Sequence, residues 1–234
     1  MKNGFSFAAE FYEELMGKEG DAWAKKTVNA VRRAAVNPRG ADVGCGTGKV
    51  TRALCAAGFD AVGMDPSPEM LSEAMRLGGA QYVLGSMKDA AKLRGLGFVT
   101  AVNDVVNYIR PKDLDKNFAA VFSALAPGGA FLFDLSTEYR LRQVIGENLF
   151  GEDGEEMSYL WFNRQKKDGV LMELVYFVKR GGTYEREEES FFEYIHTEEE
   201  VISALSRAGF GKIKTARQGS PAERLFFRAV RPGR

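Results

Sequence analysis

Apolar and polar positions change their period along this 234-residue chain, and the changes divide it into three stretches. Between Gly40 and Ser136, short β-rich runs alternate with helical patterns. Ala41–Val43 precedes a helix-like Lys49–Ala57, Ala61–Met64 precedes Glu69–Leu77, and Tyr82–Leu84 leads to a short connection. Phe98–Val102 precedes a helical stretch ending near Leu125, and Gly129–Leu135 closes the series. Such alternation predicts an α/β fold, a parallel sheet covered by helices on both faces. Upstream, Phe7–Met16 (apolar at Phe7, Phe11 and Leu15) and Asp21–Val36 (Trp23, Val28 and Val31) read as amphipathic helices that cap an edge of the sheet. Downstream, Tyr159–Gln165, Val170–Lys179 and Thr183–Tyr194 are aromatic and β-branched, with turn signals at Lys167-Asp168-Gly169 and Gly181-Gly182, the pattern of an antiparallel meander. Thr197-Glu198-Glu199-Glu200 is a capping box that opens a helix to Arg207, and Gly211–Ala216 and Arg224–Val230 are strand-like runs that complete the main sheet. One domain, 1–234, is expected: a helical cap over 1–36, a core over 37–150, an antiparallel β insertion over 157–196, and a completion of the core sheet over 197–234.

Composition narrows the class. Apolar residues are 45% and charged residues 27%, which excludes disorder, and 32 Lys+Arg against 32 Asp+Glu give no general attraction to nucleic acid or anionic lipid. No stretch approaches the ~20 apolar residues that span a bilayer, and Met1–Ser6 carries no apolar leader, so a cytoplasmic location is expected. Cys45 and Cys55 are the only cysteines and His196 the only histidine, too few for a disulfide scaffold or a metal site. Chemistry in this chain therefore calls for an organic cofactor.

The most informative segment is Asp42-Val43-Gly44-Cys45-Gly46-Thr47-Gly48. Three alternate glycines between a strand and a helix let the backbone turn tightly and let a ligand approach where a Cβ would collide. The dinucleotide fingerprint wants glycine at its first, third and sixth places; here the sixth is Lys49, which disfavours a nicotinamide oxidoreductase. Asp65 ends the second strand about twenty residues beyond the loop, where a carboxylate accepts hydrogen bonds from vicinal ribose hydroxyls.

In these segments the chain resembles class I S-adenosylmethionine-dependent methyltransferases, especially small bacterial ones similar to glycine and amino-sugar N-methyltransferases. Asp42–Gly48 resembles their first motif, Val62–Leu71 their second, Gly85-Ser86-Met87 their adenine-binding turn, Asn103–Tyr108 their motif after the fourth strand, and Ala126–Gly129 the loop before their fifth strand. The resemblance implies a Rossmann-like seven-stranded sheet, last strand antiparallel, flanked by helices, with the meander as a lid. It implies that S-adenosylmethionine is the cofactor, with Asp42 near its ammonium group, Gly44, Cys45 and Gly46 along its methionine part, and Asp65, Pro66 and Met70 around its ribose. Ser86 and Met87 would meet adenine, with Ser86 where the family usually has Asp. Asn103, Asp104 and Asn107 would face the sulfonium beside Tyr108. A sulfonium ligand is a cation without phosphate, and Asp42, Asp65 and Asp104 match that charge better than they match a dinucleotide.

Three catalytic candidates remain open to a second reading. Tyr108 and Asn107 form either an active-site wall or a polar turn with a helix cap. Tyr12 stands one position from the family's usual tyrosine, a rotation of about 100° on a helix, so it lines the methyl channel or packs in the core with Phe11. His196 is a proton acceptor or a structural residue at a helix start. Trp161, Phe177, Phe191 and Phe192 either line the acceptor site or pack the sheet. Residues 151–200 hold 14 acids against 6 bases, a solvated face that argues against RNA and toward an amine acceptor. The implied reaction is in-line methyl transfer to nitrogen or oxygen of a small molecule. An RNA- or protein-modifying methyltransferase and a catalytically silent S-adenosylmethionine-binding protein are the alternatives.

Overall fold

The structure, a computed structural model, describes residues 2–3 and 7–233. Met1 and Gly4–Ser6, most of the run read as lacking a leader, and the side chain of Leu15 lie outside the described residues. The strands and helices in chain order are β1 (Lys2–Asn3), α1 (Tyr12–Ala34), β2 (Arg39–Val43), α2 (Lys49–Ala56), β3 (Asp60–Asp65), α3 (Pro68–Leu77), β4 (Gln81–Leu84), β5 (Leu96–Ala101), α4 (Leu114–Ala124) and β6 (Leu125–Ser136). They continue with β7 (Leu149–Asp153), β8 (Met157–Lys166), β9 (Gly169–Arg180), β10 (Thr183–Tyr194), α5 (Glu198–Arg207), β11 (Gly211–Gln218) and β12 (Arg224–Val230).

The large sheet has the order β11-β12-β6-β5-β2-β3-β4, with β12 antiparallel to both its neighbours and the other pairings parallel. The expected seven strands are therefore present, and the last one in sequence is the reversed one. β5 is buried at all six positions, the continuous apolar run that a strand covered on both faces requires. On one face α1 and α2 supply Val28, Val31, Ala34 and Leu54 against Ala61, Phe98, Ala130 and Leu132. On the other, α4 and α5 supply Phe118, Val121, Val201 and Leu205 against Val99, Phe131, Phe133 and Phe227. Phe133 stacks on Phe227 across the β6–β12 pair with ring centroids 4.8 Å apart. The predicted capping box is present: Thr197 N–H donates to Glu200 Oε2 at 2.9 Å and Glu200 N–H to Thr197 Oγ1 at 3.1 Å.

The two expected N-terminal helices form one element broken at Gly17, whose φ of 40° and ψ of −131° interrupt the helical ladder. The second sheet, ordered β1-β10-β9-β8-β7, is larger than the hydrophobic pattern predicts. β7 is exposed at all five positions, so no apolar alternation marks it. β1 joins by parallel pairing to β10, a contact that local sequence does not encode. The inner face of this sheet buries Met157, Val170, Met172, Leu174, Tyr176 and Val178 against Phe7, Phe11, Leu141 and Ile145.

One buried amide ties the two sheets together. Asn107 Nδ2 donates to the carbonyls of Ser136 (3.1 Å) and Tyr194 (3.0 Å), and its Oδ1 accepts the Ser136 N–H at 2.9 Å. Asn107→Ala strands these groups in the interior and is expected to cost about 1–3 kcal/mol of unfolding free energy; a urea midpoint equal to that of the unaltered protein contradicts this role.

Candidate functional site

The carboxyl ends of β2, β3 and β5, the first turns of α1 and the inner face of the second sheet enclose a cleft of about 560 Å³. Crevices at the carboxyl ends of open α/β sheets are the usual ligand sites of such folds. Tyr12, Gly44, Gly46, Asp65, Pro66, Met70, Ser86, Met87, Asn103, Asp104 and Tyr108, all read from sequence as site residues, line it. Asp42 and Cys45 line a smaller adjoining space of about 70 Å³. Asn107 and His196 are not on the wall.

Of the loop glycines, only Gly46 keeps its place open for a ligand. A Cβ at Gly44 would lie 2.5 Å from Val105 Cγ2, and one at Gly48 2.3 Å from the Tyr82 hydroxyl, so packing demands those glycines. At Gly46, where φ is +53°, the nearest atoms to such a Cβ are Tyr12 Cε1 at 3.7 Å and Met70 Sδ at 3.9 Å. Asp65 fixes this turn from below. Its Oδ2 accepts the Gly46 N–H and its Oδ1 the Ser67 N–H, both at 2.9 Å, which leaves further lone pairs for a ligand. Burial raises the Asp65 pKa while these two backbone donors oppose the rise.

Asp42 is 2% exposed, and its carboxylate accepts Thr100 Oγ1 (2.7 Å) and Thr51 Oγ1 (2.8 Å). Burial pushes its pKa up to about 6, against both hydroxyls. The Cys45 thiol, 3.6 Å from the Gly46 carbonyl, is likewise driven up by burial and is no thiolate. Ser86 gives its backbone N–H and its hydroxyl to Asp89 Oδ2, both at 3.0 Å. A carboxylate thus does stand at this turn, three residues beyond the expected position.

Asn103 and Asp104 both adopt left-handed backbone, with φ of 65° and 67°, a conformation that Asn and Asp tolerate better than most side chains. The expectation that Asp104 presents net negative charge to a cation is corrected by Arg224. The Arg224 guanidinium meets Asp104 Oδ1 at 2.7 Å and Oδ2 at 3.0 Å, also binds Asp134, and lies 5.0 Å from the centre of the Trp23 ring. Ser136 Oγ donates to Asp104 Oδ1 at 2.7 Å, and Asn103 N–H to Asp134 Oδ1 at 2.7 Å. Burial and the neighbouring Asp104 raise the Asp134 carboxyl to about 6, while Arg224 pulls it down.

The structure separates the catalytic candidates. Tyr12 faces the cleft and Phe11 the small-sheet core, which resolves the one-position displacement into two different faces. Burial raises the Tyr12 hydroxyl to about 12, with a hydrogen bond to the Asn103 side chain opposing that shift. Tyr108 Oη lies 3.1 Å from Glu193 Oε1 and its ring sits edge-on to Phe191. His196 is 2% exposed with its ring against the backbone of Val106 and Ile109, and burial lowers its pKa. It is buried away from the cleft wall. The amide of Asn107 is committed to Ser136 and Tyr194, and Asn107 is not on the cleft wall. Trp161 and Phe191 line the cleft; Phe177 and Phe192 are not on its wall, because each immediately follows an inward-facing residue, Tyr176 or Phe191, and successive strand residues face opposite sides. Arg140, Glu193 and Arg224 also line it. Arg224 and Glu193 sit inside strand-like runs, and only the reversed β12 and the folded meander bring them to the site.

Removing the guanidinium tests the charge cluster. Arg224→Met leaves the buried Asp134 and the partly buried Asp104 without their cation, at an expected cost of about 3–5 kcal/mol near pH 8. Loss of the guanidinium, which pulls the Asp134 carboxyl down, lets it rise above about 6 in the variant, so the variant takes up its proton first and the deficit is expected to shrink as pH falls from 8 toward about 6. A deficit that stays constant from pH 8 to pH 5 contradicts the assignment.

Comparison with known proteins agrees with this geometry. A methyltransferase-domain family model matches residues 41–129. YqeM of Bacillus subtilis (strain 168), named as a candidate methyltransferase, is 29% identical over 238 residues and covers 94% of each chain. An S-adenosylmethionine-dependent methyltransferase from Clostridium acetobutylicum is 30% identical, with a TM-score of 0.84 over 97% of this chain and 98% of its own. The fold is shared also by CalS10 of Micromonospora echinaspora, an amino pentose methyltransferase solved with S-adenosylmethionine bound, at 22% identity and a TM-score of 0.78 over 99% of both chains. The glycine turn over Asp65, the cleft above it and this kinship together make the chain a member of the S-adenosylmethionine-dependent methyltransferases.

Proposed function

We propose that the protein transfers the methyl group of S-adenosylmethionine to a nitrogen or oxygen atom of a small molecule held between the carboxyl ends of the large sheet and the inner face of the small one. The observation that carries this reading is the single cleft in which Gly46 and Asp65 share a wall with Trp161, Phe191 and Tyr108. A sulfonium carries an electrophilic methyl group, and the chain's task is to hold an acceptor in line with it.

Gly46 leaves room for the methionine part, and Asp65 offers its remaining lone pairs to ribose hydroxyls. Pro66, Met70 and Met87 supply apolar surface for the nucleoside, and the Ser86–Asp89 pair stands at the adenine end. Asp42 acts beneath the loop, through the two threonines, to hold the turn's shape. At the other end of the cleft, Tyr12 and Tyr108 stay protonated at neutral pH because burial raises both hydroxyls, so each is a hydrogen-bond donor and a flat wall rather than a base. Alignment in a water-poor pocket supplies the acceleration, since transfer from a sulfonium needs placement more than acid strength.

A small acceptor suits the enclosure by Trp161 and Phe191. CalS10 acts on an amino pentose, which supports a nitrogen acceptor in this chain as well. The acidic small sheet favours a cationic amine over an RNA backbone, and an RNA substrate would show as binding that weakens steeply with salt.

Asp65→Ala is expected to weaken S-adenosylmethionine binding by about 1–3 kcal/mol through the lost ribose hydrogen bonds; an unchanged calorimetric affinity argues against the ribose role. Gly46→Val fills the open side of the turn and is expected to abolish binding in a chain that still folds. Normal binding by a folded Gly46→Val protein means that the cofactor lies elsewhere.

A further inference from the structure

Glu193 has the least explained environment in the cleft. It is 5% exposed on β10 and lines the cleft wall, with its Oε1 3.1 Å from the Tyr108 hydroxyl. Its Oε2 is fully buried and has no hydrogen-bond partner among the described residues. A buried carboxylate oxygen left unpartnered costs free energy, so such an atom at a ligand site marks where a ligand's donor belongs. The nearby charged and titratable groups come from four other segments: Asp104 and Tyr108 after β5, Arg224 on β12, Arg140 after β6, and Tyr12 beside Tyr108. Arg224 is already engaged by Asp104 and Asp134; Arg140 binds Glu223 through Nη1 at 3.1 Å, and its Nε is, like Oε2, a buried atom without a hydrogen-bond partner among the described residues, so neither guanidinium satisfies Oε2.

Resting on the reading of the cleft as a methyl-transfer site, we propose that Glu193 Oε2 is the seat of the acceptor nitrogen: it binds a protonated amine and takes its proton. The proton passes from the ammonium nitrogen to Oε2, and the freed lone pair forms the N–C bond to the methyl group as the C–S bond breaks with its electrons going to sulfur. The carboxylic acid at Glu193 then returns its proton to water as the product leaves. Burial, reinforced by Asp104, raises the Glu193 carboxyl to about 8, with Tyr108, Arg224 and Arg140 opposing the rise. A proton acceptor is most effective when its pKa lies near the working pH. The arrangement favours an amine acceptor: a neutral hydroxyl offers Oε2 a hydrogen bond and no charge, whereas an ammonium group offers both.

Ethylammonium chloride is a suitable probe because it carries the charge without any scaffold, and ethanol is its neutral twin. In protein labelled at the glutamate carboxyl carbons with carbon-13, the Glu193 resonance is the one that Glu193→Gln removes. That resonance is expected to titrate above pH 7 and to shift on addition of ethylammonium but not ethanol. Ethylammonium is expected to bind about tenfold more tightly at pH 9 than at pH 7, in step with the ionised fraction of a group titrating near 8. Glu193→Gln, nearly isosteric, is expected to lose at least about tenfold of that affinity at pH 9, a factor worth about 1.4 kcal/mol, and to bind S-adenosylmethionine as the unaltered protein does. Equal ethylammonium affinity in the two proteins, a Glu193 resonance indifferent to the amine, or titration in the ordinary carboxylate range overturns the proposal. Failure of the unaltered protein to bind S-adenosylmethionine overturns the methyltransferase reading of the cleft instead and leaves the amine result to stand by itself.

Discussion

The pairing of Arg224 with Asp104 and Asp134 is the constraint on which the cleft depends. Three strands end at this point: β5 runs into the turn that carries Asp104, β6 contributes Asp134, and the reversed β12 begins with Arg224. A buried and a partly buried carboxylate this close together are stabilised by a cation between them, and a planar guanidinium can bond to both while lying against the Trp23 ring of α1. By holding Asp104, the cluster fixes two consecutive left-handed residues, and so aims Tyr108 at Glu193 and Asn103 at Tyr12. Backbone held in such a conformation next to a ligand site is strain that the surrounding packing must overdetermine. Arg224, Asp134 and Trp23 do that here.

Below the opposite end of the cleft, the glycine loop rests on a second buried carboxylate system. Asp42 and Asp65 stand at the ends of adjacent parallel strands, and each is satisfied differently: Asp42 by the hydroxyls of Thr51 and Thr100, Asp65 by two backbone N–H groups. The first arrangement ties the end of β2 to α2 and β5. The second spends its acceptors on backbone that itself borders the cleft and keeps lone pairs facing outward. The two acids, similar in sequence context, thus take different tasks because their neighbours differ.

The second sheet turns a crevice into an enclosure. It shares no strand with the large sheet, and Asn107 is one of the ties that hold it in place. Its inner residues Trp161, Phe191 and Glu193 line the cleft opposite the glycine loop. The two sheets contribute different walls: the parallel strands bring Gly46, Asp65 and Met87 to the cleft, and the antiparallel sheet brings Trp161, Phe191 and Glu193.

Much of this was legible in the chain itself, because it rests on local patterns. The strand–loop–helix order, the Gly44–Gly48 turn, Asp65 at a strand end, and the Thr197–Glu200 capping box depend on residues close in sequence, and each forms as expected. Only the tertiary structure could decide the rest. β7 carries no apolar alternation, and β1 takes its place through pairing with β10, so neither was visible. Asn107 and His196 carry chemistry suited to an active site, yet packing buried both and left neither on the cleft wall. Arg224 and Glu193 look like ordinary polar positions within strands, 31 residues apart, until β12 reverses beside β6 and the meander folds over the cleft. Periodicity reports which face a residue occupies; it does not report which distant face lies opposite, and charge pairing and buried acceptors are properties of that opposition.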